Sequence, residues 1–484
     1  MKTEFTADWK DWIKTNIDSG SNKDEIFKIL SDEGYAHDAI ISEMNYRPSR
    51  PLAEIVNPHK KENSSDAVLS TFENNHGASI AKEKIFVPNA NTLDTDKIDL
   101  RYVENFLSAN ECDALISIIK SNKRPSQVGN FEVDTRFRTS QTCDLGKIDN
   151  PFIKDIDRRI ANLIGIDPAY SETIQGQYYE VGQEFKAHTD FFEVDAFDTH
   201  CSVFGQRTYT VMIYLNDVEE GGETRFKHLK ANFRPATGLA VIWNSLNPDG
   251  TPNIHSLHQA KPVEKGYKAI ITKWFRTTCP QADKVKMFPR EINEYVPNYT
   301  SRGVFKTKLP EPLFKRVNDF YHENRKDIEH EFVEGGFIVD GKKTGKRPSS
   351  SSLINMSPEL REEIHEELKP MMEEWCNQTL EPTFVYGIRE YHNGAILKMH
   401  RDRIDTHIIS AIVNVDQETD KDWPLFIEDN YYRRHKVMIK PGEVIFYEGG
   451  RLQHGRPDMF EGKSFANLFC HFKPVDYVAP TINV

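Results

Sequence analysis

His188 and Asp190 stand two residues apart in the run Tyr179-Glu-Val-Gly-Gln-Glu-Phe-Lys-Ala-His188-Thr-Asp190. Side chains two apart on a β-strand leave the same face, so an imidazole and a carboxylate project together. A second histidine would complete a 2-His-1-carboxylate set, the facial arrangement suited to non-heme Fe(II) with positions left open for substrates. His258 is the candidate third ligand. Lys268 follows it by 10 residues, on what reads as the next strand, Tyr-Lys-Ala-Ile-Ile-Thr-Lys-Trp. A lysine there offers a compact charge to a carboxylate.

His-x-Asp/Glu by itself carries little. With 17 histidines and 74 acidic residues in 484, chance supplies about 2.6 matches, the risk any short motif runs. The chain has three: His188/Asp190, His365/Glu367 and His400/Asp402. His365 lies in a charged helical pattern, where residues two apart diverge, and reads as part of a solvated face. An internal repeat sets the other two apart. Tyr179-x-x-Gly182, five residues and His188-x-Asp190 recur as Tyr391-x-x-Gly394, five residues and His400-x-Asp402. Downstream, His258 and Gly266 are eight apart, as are His454 and Gly462. One position departs: ten residues past His454 stands Ser464 rather than lysine. Arg456 and Lys463 are the alternatives for a cation in the second set. His255 reads as a rim or core residue and Trp243 as core.

The elements that must position these residues repeat as well. Residues 96–279 begin with a strand, a helix opened by Ser108 or Asn110, and an amphipathic helix over 152–164 bearing Ile153, Ile156, Ile160, Leu163 and Ile164 on one side. Strand-like runs rich in β-branched and aromatic residues follow, with Glu-Glu-Gly-Gly and Asn-Pro-Asp-Gly turns between them. Residues 290–484 repeat this grammar of helices first and strands after, with a Gly/Lys/Ser-rich loop at 341–352. Residues 1–47 predict three short helices: Thr6 before the first, Ser21 with Asp24 opening the second, Gly34 ending it. Two readings stand for this module, a partner-recruiting headpiece or a cap on the main body. Residues 48–95, with Pro48, Pro51 and Pro58, read as a linker.

Composition excludes several classes. A net charge of −12, from 62 basic against 74 acidic residues, argues against a dedicated nucleic-acid binder. No run of 18 apolar residues exists, so no membrane span is expected, and the N-terminal stretch shows no secretory h-region. Six scattered cysteines without a Cys-x-x-Cys pair fit a reducing compartment and a cytoplasmic location.

Residues 96–279 resemble the prolyl 4-hydroxylase branch of the Fe(II)/2-oxoglutarate dioxygenases. The likeness is carried by Arg-Pro-Ser-Gln-Val, Arg138-Thr-Ser140, Tyr-Leu-Asn-Asp-Val-Glu-Glu-Gly-Gly-Glu-Thr, Trp243-Asn-Ser-Leu-Asn-Pro-Asp-Gly and the run from His258 to Lys268. Residues 293–476 are similar to a more distant oxygenase of that superfamily, through Val-Tyr-Gly-Ile-Arg-Glu-Tyr, Met-His400-Arg-Asp402 and His454-Gly-Arg456-Pro. The resemblance implies an α+β fold of two double-stranded β-helix (jelly-roll) domains in tandem, each with supporting helices, after the small helical module. It implies Fe(II) held by His188, Asp190 and His258, and by His400, Asp402 and His454 in the second domain. It further implies 2-oxoglutarate on Lys268 beside Tyr179, with Tyr391 and either Arg456 or Lys463 as counterparts in the second domain. Arg138 would grip a peptide. O2 is the co-reactant, ascorbate the reductant, and a protein or peptide, most naturally at proline, the substrate. Hydroxylation of a small molecule or another side chain, and a non-catalytic binding scaffold, are the competing expectations, since fold alone does not select among them.

Overall fold

A computed structural model describes residues 2–18, 21–49, 85–126, 137–193, 200–331, 336–342 and 350–481. Most of the expected linker, part of Arg-Pro-Ser-Gln-Val and most of the 341–352 loop lie outside these residues. The chain forms two compact units, Met1–Asn74 and Asn75–Val484.

In the first unit, helices span Ala7–Asp18, Lys23–Asp32 and His37–Met44. The Thr6 hydroxyl accepts from the Trp9 N–H at 3.4 Å. The second helix is capped by Asn22, not Ser21: its side chain accepts from the Asp24 N–H at 3.0 Å. Gly34, at φ +87°, supplies the left-handed turn after that helix. Ile13, Ile26, Phe27, Leu30, Ile40 and Met44 close the core. Buried Asp24 accepts from Tyr46 and Ser49, so the packed chain continues past residue 47.

In the second unit, the chain is already in a core at Ile85 and Val87, inside the stretch expected as linker. An eight-stranded antiparallel sheet follows the spatial order Asn91–Thr92, Leu100–Val103, Ala240–Asn244, Arg207–Tyr214, Lys268–Arg276, Gln175–Tyr179, Gln141–Cys143, Arg124–Pro125. A four-stranded sheet runs Ala231–Phe233, Thr224–Phe226, His258–Ala260, Phe185–His188. Met212, Trp243 and Ile270 from the large sheet meet Phe226 and Ala260 from the small one. Alternation sends Val211, Ile213 and Ile271 to the opposite face, where two helices cover them. Helix Ala109–Asn122 opens with a Ser108/Glu111 capping box, and helix Pro151–Ile164 with an Asn150 cap and Pro151 in its first turn. Ile153, Ile156, Ile160, Leu163 and Ile164 are at most 2% exposed, each stabilising the fold by roughly 1.5–3 kcal/mol.

The same helix–sheet–sheet layering recurs. A seven-stranded sheet carries Leu380–Tyr391, Gly462–Pro474, Ile409–Thr419 and Glu443–Tyr447, and a five-stranded one carries Ala395–His400 and His454–Arg456. Helices Glu311–Asn324 and Pro358–Cys376 back the larger sheet through Leu313, Val317, Ile364 and Leu368. The topology is consistent with a double-stranded β-helix over about 140–280 and a second sheet-rich region beyond it.

The two β regions share a core. Tyr431 and Tyr432, at the turn between strands Leu425–Glu428 and Arg434–Val437, pack into the first region's helix-covered core. Arg159, fully buried, donates to the carbonyls of Phe106 (2.8 Å) and Tyr431 (3.1 Å) and to Glu111. Arg158 reaches Tyr432 O at 2.8 Å and Glu428 at 3.1 Å. The residues 96–279 and 290–484 expected as separate domains therefore sit in one compact unit.

Candidate metal centres

Strands Phe185–His188 and His258–Ala260 pair antiparallel with His188 directly opposite His258. Asp190 lies just past the first strand's end. One ligand atom from each of the three falls within 4.8 Å of the others. Each imidazole is oriented by its own strand: His188 Nδ1 meets Lys186 O at 2.7 Å, and His258 Nδ1 meets Ser256 O at 2.9 Å. A carbonyl can only accept, so Nδ1 carries the proton and Nε2 keeps its lone pair for a metal. Asp190 is held by the Thr210 hydroxyl, which donates to Oδ2 at 2.7 Å. Burial, and then the neighbouring His258, push the His188 imidazolium down to about 3. Burial alone would raise the Asp190 carboxyl, but His258 and His188 outweigh it and hold it low. A neutral imidazole beside an ionised carboxylate is the protonation state a metal requires.

The second centre repeats these devices. His400 faces His454 across strands Ala395–His400 and His454–Arg456. His400 Nδ1 meets Lys398 O at 2.8 Å and His454 Nδ1 meets Leu452 O at 2.9 Å. The Nε2 atoms lie 3.7 and 3.6 Å from Asp402 Oδ1. Here Asp402 is held by Tyr447, whose hydroxyl donates to Oδ2 at 3.0 Å. Burial and His454 lower His400 to about 4. Asp402, which burial would raise, is lowered by His454 and His400 to about 2.

The surroundings differ. A cavity of about 30 Å³ beside the first triad is lined by Tyr179, Trp243 and Thr272, whereas about 770 Å³ opens beside the second, past Phe337, Phe384 and His407. Lys268 is fully buried on the strand facing Tyr179, residue against residue. Its Nζ lies 5.2 Å over the Tyr179 ring and 5.3 Å over Tyr214, with the Thr224 hydroxyl at 3.5 Å. Among the described residues no carboxylate forms an ion pair with it. Burial pushes its ammonium down to about 7, with Glu223 pulling weakly the other way. A buried cation without an anion is costly, which is the signature of a place for an anionic ligand.

Comparison with known proteins agrees with this geometry. Residues 174–276, which contain the first triad and Lys268, match the family described as the 2OG-Fe(II) oxygenase superfamily. Probable prolyl 4-hydroxylase 10 of Arabidopsis thaliana is 32% identical over 247 residues, 43% of this chain and 84% of that protein. The chain belongs to the 2OG-Fe(II) oxygenase superfamily. Probable prolyl 4-hydroxylase 3 of the same plant is 38% identical over 193 residues, covering 35% of this oxygenase and 66% of that relative, just under two thirds of its length. The crystal structure of a viral collagen prolyl hydroxylase from Paramecium Bursaria Chlorella virus-1 is 29% identical over 37% of this chain and 95% of that one, with a TM-score of 0.30.

The superfamily implies Fe(II) and 2-oxoglutarate; the donor set of the first centre fits the metal, with two Nε2 atoms directed inward and an ionised Asp190, and buried Lys268 is a cation beside Tyr179 and Thr224, which line the triad's cavity. Arg138 is held beside this centre, with its guanidinium 4.9 Å over Phe185 and bonds to Gln175 and Thr142 at 3.2 and 3.3 Å. His255 stays outside both triads. Trp243 is core as expected and also packs edge-on against His258 at 4.8 Å. His365 is not on a solvated face: it is half-buried against Phe472, 5.1 Å away. In the second centre Tyr391 is buried, opposite Phe465 in the strand register. Since Tyr179 faces Lys268, Phe465 rather than Ser464 occupies the lysine's place. Lys463 points outward and pairs with Glu418 at 2.8 Å, so it does not serve the pocket. Arg456 is 1% exposed and points inward. Arg389, which counting from the motifs missed, lines the second cavity but is bound bidentately by Glu331 at 2.7 and 2.6 Å. Its signal was the alternation of Ile388 and Glu390 against Arg389 and Tyr391, which leaves one arginine on the inner face of a strand.

Proposed function

We propose that this oxygenase hydroxylates a protein or peptide at proline, using the first centre. The observation that carries the reading is Lys268: a buried ammonium without an anion, beside Tyr179 and Thr224 of the triad's cavity, in a segment 38% identical to a relative named for prolyl 4-hydroxylation. His188, Asp190 and His258 would hold the metal, and Thr210 keeps the carboxylate in place. Lys268 binds the distal carboxylate of 2-oxoglutarate with Tyr179 as the pocket wall, and Arg138 steadies the peptide. Bound Fe(II), with 2-oxoglutarate and O2, supplies the oxidation of an unactivated C–H bond, releasing succinate and CO2. Ascorbate serves as reductant. The two sheets close on the triad, leaving a cavity of about 30 Å³ walled by Tyr179, Trp243 and Thr272, and this would keep bulk water from a metal held there.

The second region is, in this reading, a second double-stranded β-helix with Fe(II) on His400, Asp402 and His454. Its wide cavity favours a bulkier substrate than proline there. The helical module of residues 1–47 recruits the client, and six free, buried cysteines support a reducing, cytoplasmic setting. Mass spectrometry of a host proteome with and without the chain tests the target. The expected result is a gain of one oxygen atom at proline in a small set of proteins. Oxygen gain only at other residues would reject the proline assignment.

A further inference from the structure

In a chain whose net charge is −12, positive charge gathers on the outer face of the first region's small sheet. The hairpin of strands Thr224–Phe226 and Ala231–Phe233, with the residue that follows it, carries Arg225, Lys227, Lys230 and Arg234 and no carboxylate. Alternation sets the face. Thr224 turns inward to the triad's cavity and Phe226 to the core, so Arg225 turns outward, where it stands opposite Gln259 of strand His258–Ala260. Lys261, just past that strand, converges on the same place. Arg225, Lys227, Lys230 and Lys261 line a cavity of about 540 Å³, with His228 at its side and the buried Leu229 and Ala231 beneath. Glu223 answers Lys261 at 3.7 Å. Among the described residues no carboxylate pairs with Arg225, Lys227 or Lys230, and all three are exposed. Unpaired cations crowded around one concavity repel one another and focus their field into it, which an anionic partner relieves.

We infer that this groove docks an acidic stretch of the polypeptide on which the first centre acts. The inference rests on the reading of that client as a polypeptide. Groove and metal ligand occupy opposite faces of one strand pair: His258 opposes Phe226 inside, and Gln259 opposes Arg225 outside. A client held on the outer face keeps its neighbouring residues at high local concentration beside the pocket. The place suits an extended chain, since Ala231–Phe233 is the end strand of the four and a sheet edge accepts an added peptide. Lysine on an edge also discourages sheets from pairing, but that role needs neither a cavity nor the convergence of Lys261 from beyond another strand. A nucleic acid is the poorer match. No Phe, Tyr or Trp lines the groove for a base to stack on, and a polyanion longer than the groove gains nothing from the net-negative chain around it.

The test is fluorescence anisotropy with the full chain and a fluorescein-labelled peptide of alternating glutamate and glycine, without added metal or 2-oxoglutarate. The glutamate peptide binds, and its glutamine counterpart binds about tenfold more weakly. The difference shrinks as added salt brings the Debye length below about 10 Å. Arg225→Gln, Lys227→Gln and Lys230→Gln together weaken the glutamate peptide by about ten- to hundredfold, the loss of several exposed charge pairs, with the circular dichroism of the parent retained. Lys14→Gln, Lys284→Gln and Lys326→Gln together make the same change in net charge at exposed lysines elsewhere and leave binding as it was. Equal binding of the glutamate and glutamine peptides, or equal losses in the two triple variants, overturns the groove. Tighter binding of an oligouridylate of the same charge, lost in the groove variant, overturns a peptide as its occupant. The probe contains no proline and the assay no turnover, so the groove stands or falls separately from proline hydroxylation, which a neutral proline peptide tests.

Discussion

The two β regions keep the same three ligands, oriented by the same histidine-to-carbonyl bonds, and change almost everything that touches them. The carboxylate's partner passes from Thr210 to Tyr447. Arg207 over Trp274, at 4.3 Å, gives way to His407 stacked on His471 at 3.7 Å. The cavity grows from about 30 to about 770 Å³. A metal with two imidazoles and a carboxylate demands a fixed strand pair, and nothing equivalent constrains the walls. The ligand set is thus conserved by coordination geometry while each pocket is free to fit its own substrate.

The sharpest way to break that comparison is to disable one centre at a time in the full chain. His188→Ala should bring prolyl hydroxylation to background, while His400→Ala should leave it largely intact, measured as succinate release with peptide. If both variants abolish it, the regions form one composite site and are not a pair.

The next largest effect concerns the shared core. Tyr431→Ala removes a ring from the first region's interior and should lower stability by on the order of 3 kcal/mol. Because the Tyr431–Tyr432 turn ties the regions, urea unfolding should remain a single transition for residues 75–484, with the probes in both regions moving together. Two separated transitions would show that the regions are independent.

Much of this was legible in the residues. His188/Asp190 and His258 were readable because strand alternation is local, and Lys268 because the hairpin before it is short. For the second set the residues left Arg456 and Lys463 open as the cation, and the register around them was not readable. The strand Gly462–Pro474 is irregular where it meets Glu418 and Thr419, so counting from His454 arrives at Ser464 while the pairing arrives at Phe465. The Tyr431–Tyr432 plug was likewise hidden, since a tyrosine pair at a hairpin turn says nothing about a helix some 270 residues earlier. Nor does spacing show that Glu331 consumes the charge of Arg389.

A smaller effect, about ten- to hundredfold, is expected at the first cosubstrate pocket. Lys268→Met should raise the 2-oxoglutarate concentration needed for half-maximal turnover by that factor. An unchanged requirement would make Lys268 a structural residue. Smallest is a pH contrast. The free Lys268 ammonium is held to about 7, so above that pH a proton must be taken up before the carboxylate can pair. The first centre's affinity for 2-oxoglutarate should therefore fall up to tenfold per unit between about pH 7 and 9. The second centre has Phe465 at the lysine's register position, so it should vary little over that range. Equal slopes in single-centre variants would contradict the part given to Lys268.

The most direct measurement is metal content per chain for the full protein, His188→Ala, His400→Ala and the double variant, after equilibration with Fe(II) without O2. Two equivalents, one, one and none are expected. A full chain that holds a single equivalent, unchanged by His400→Ala, would contradict the claim that both triads are metal centres.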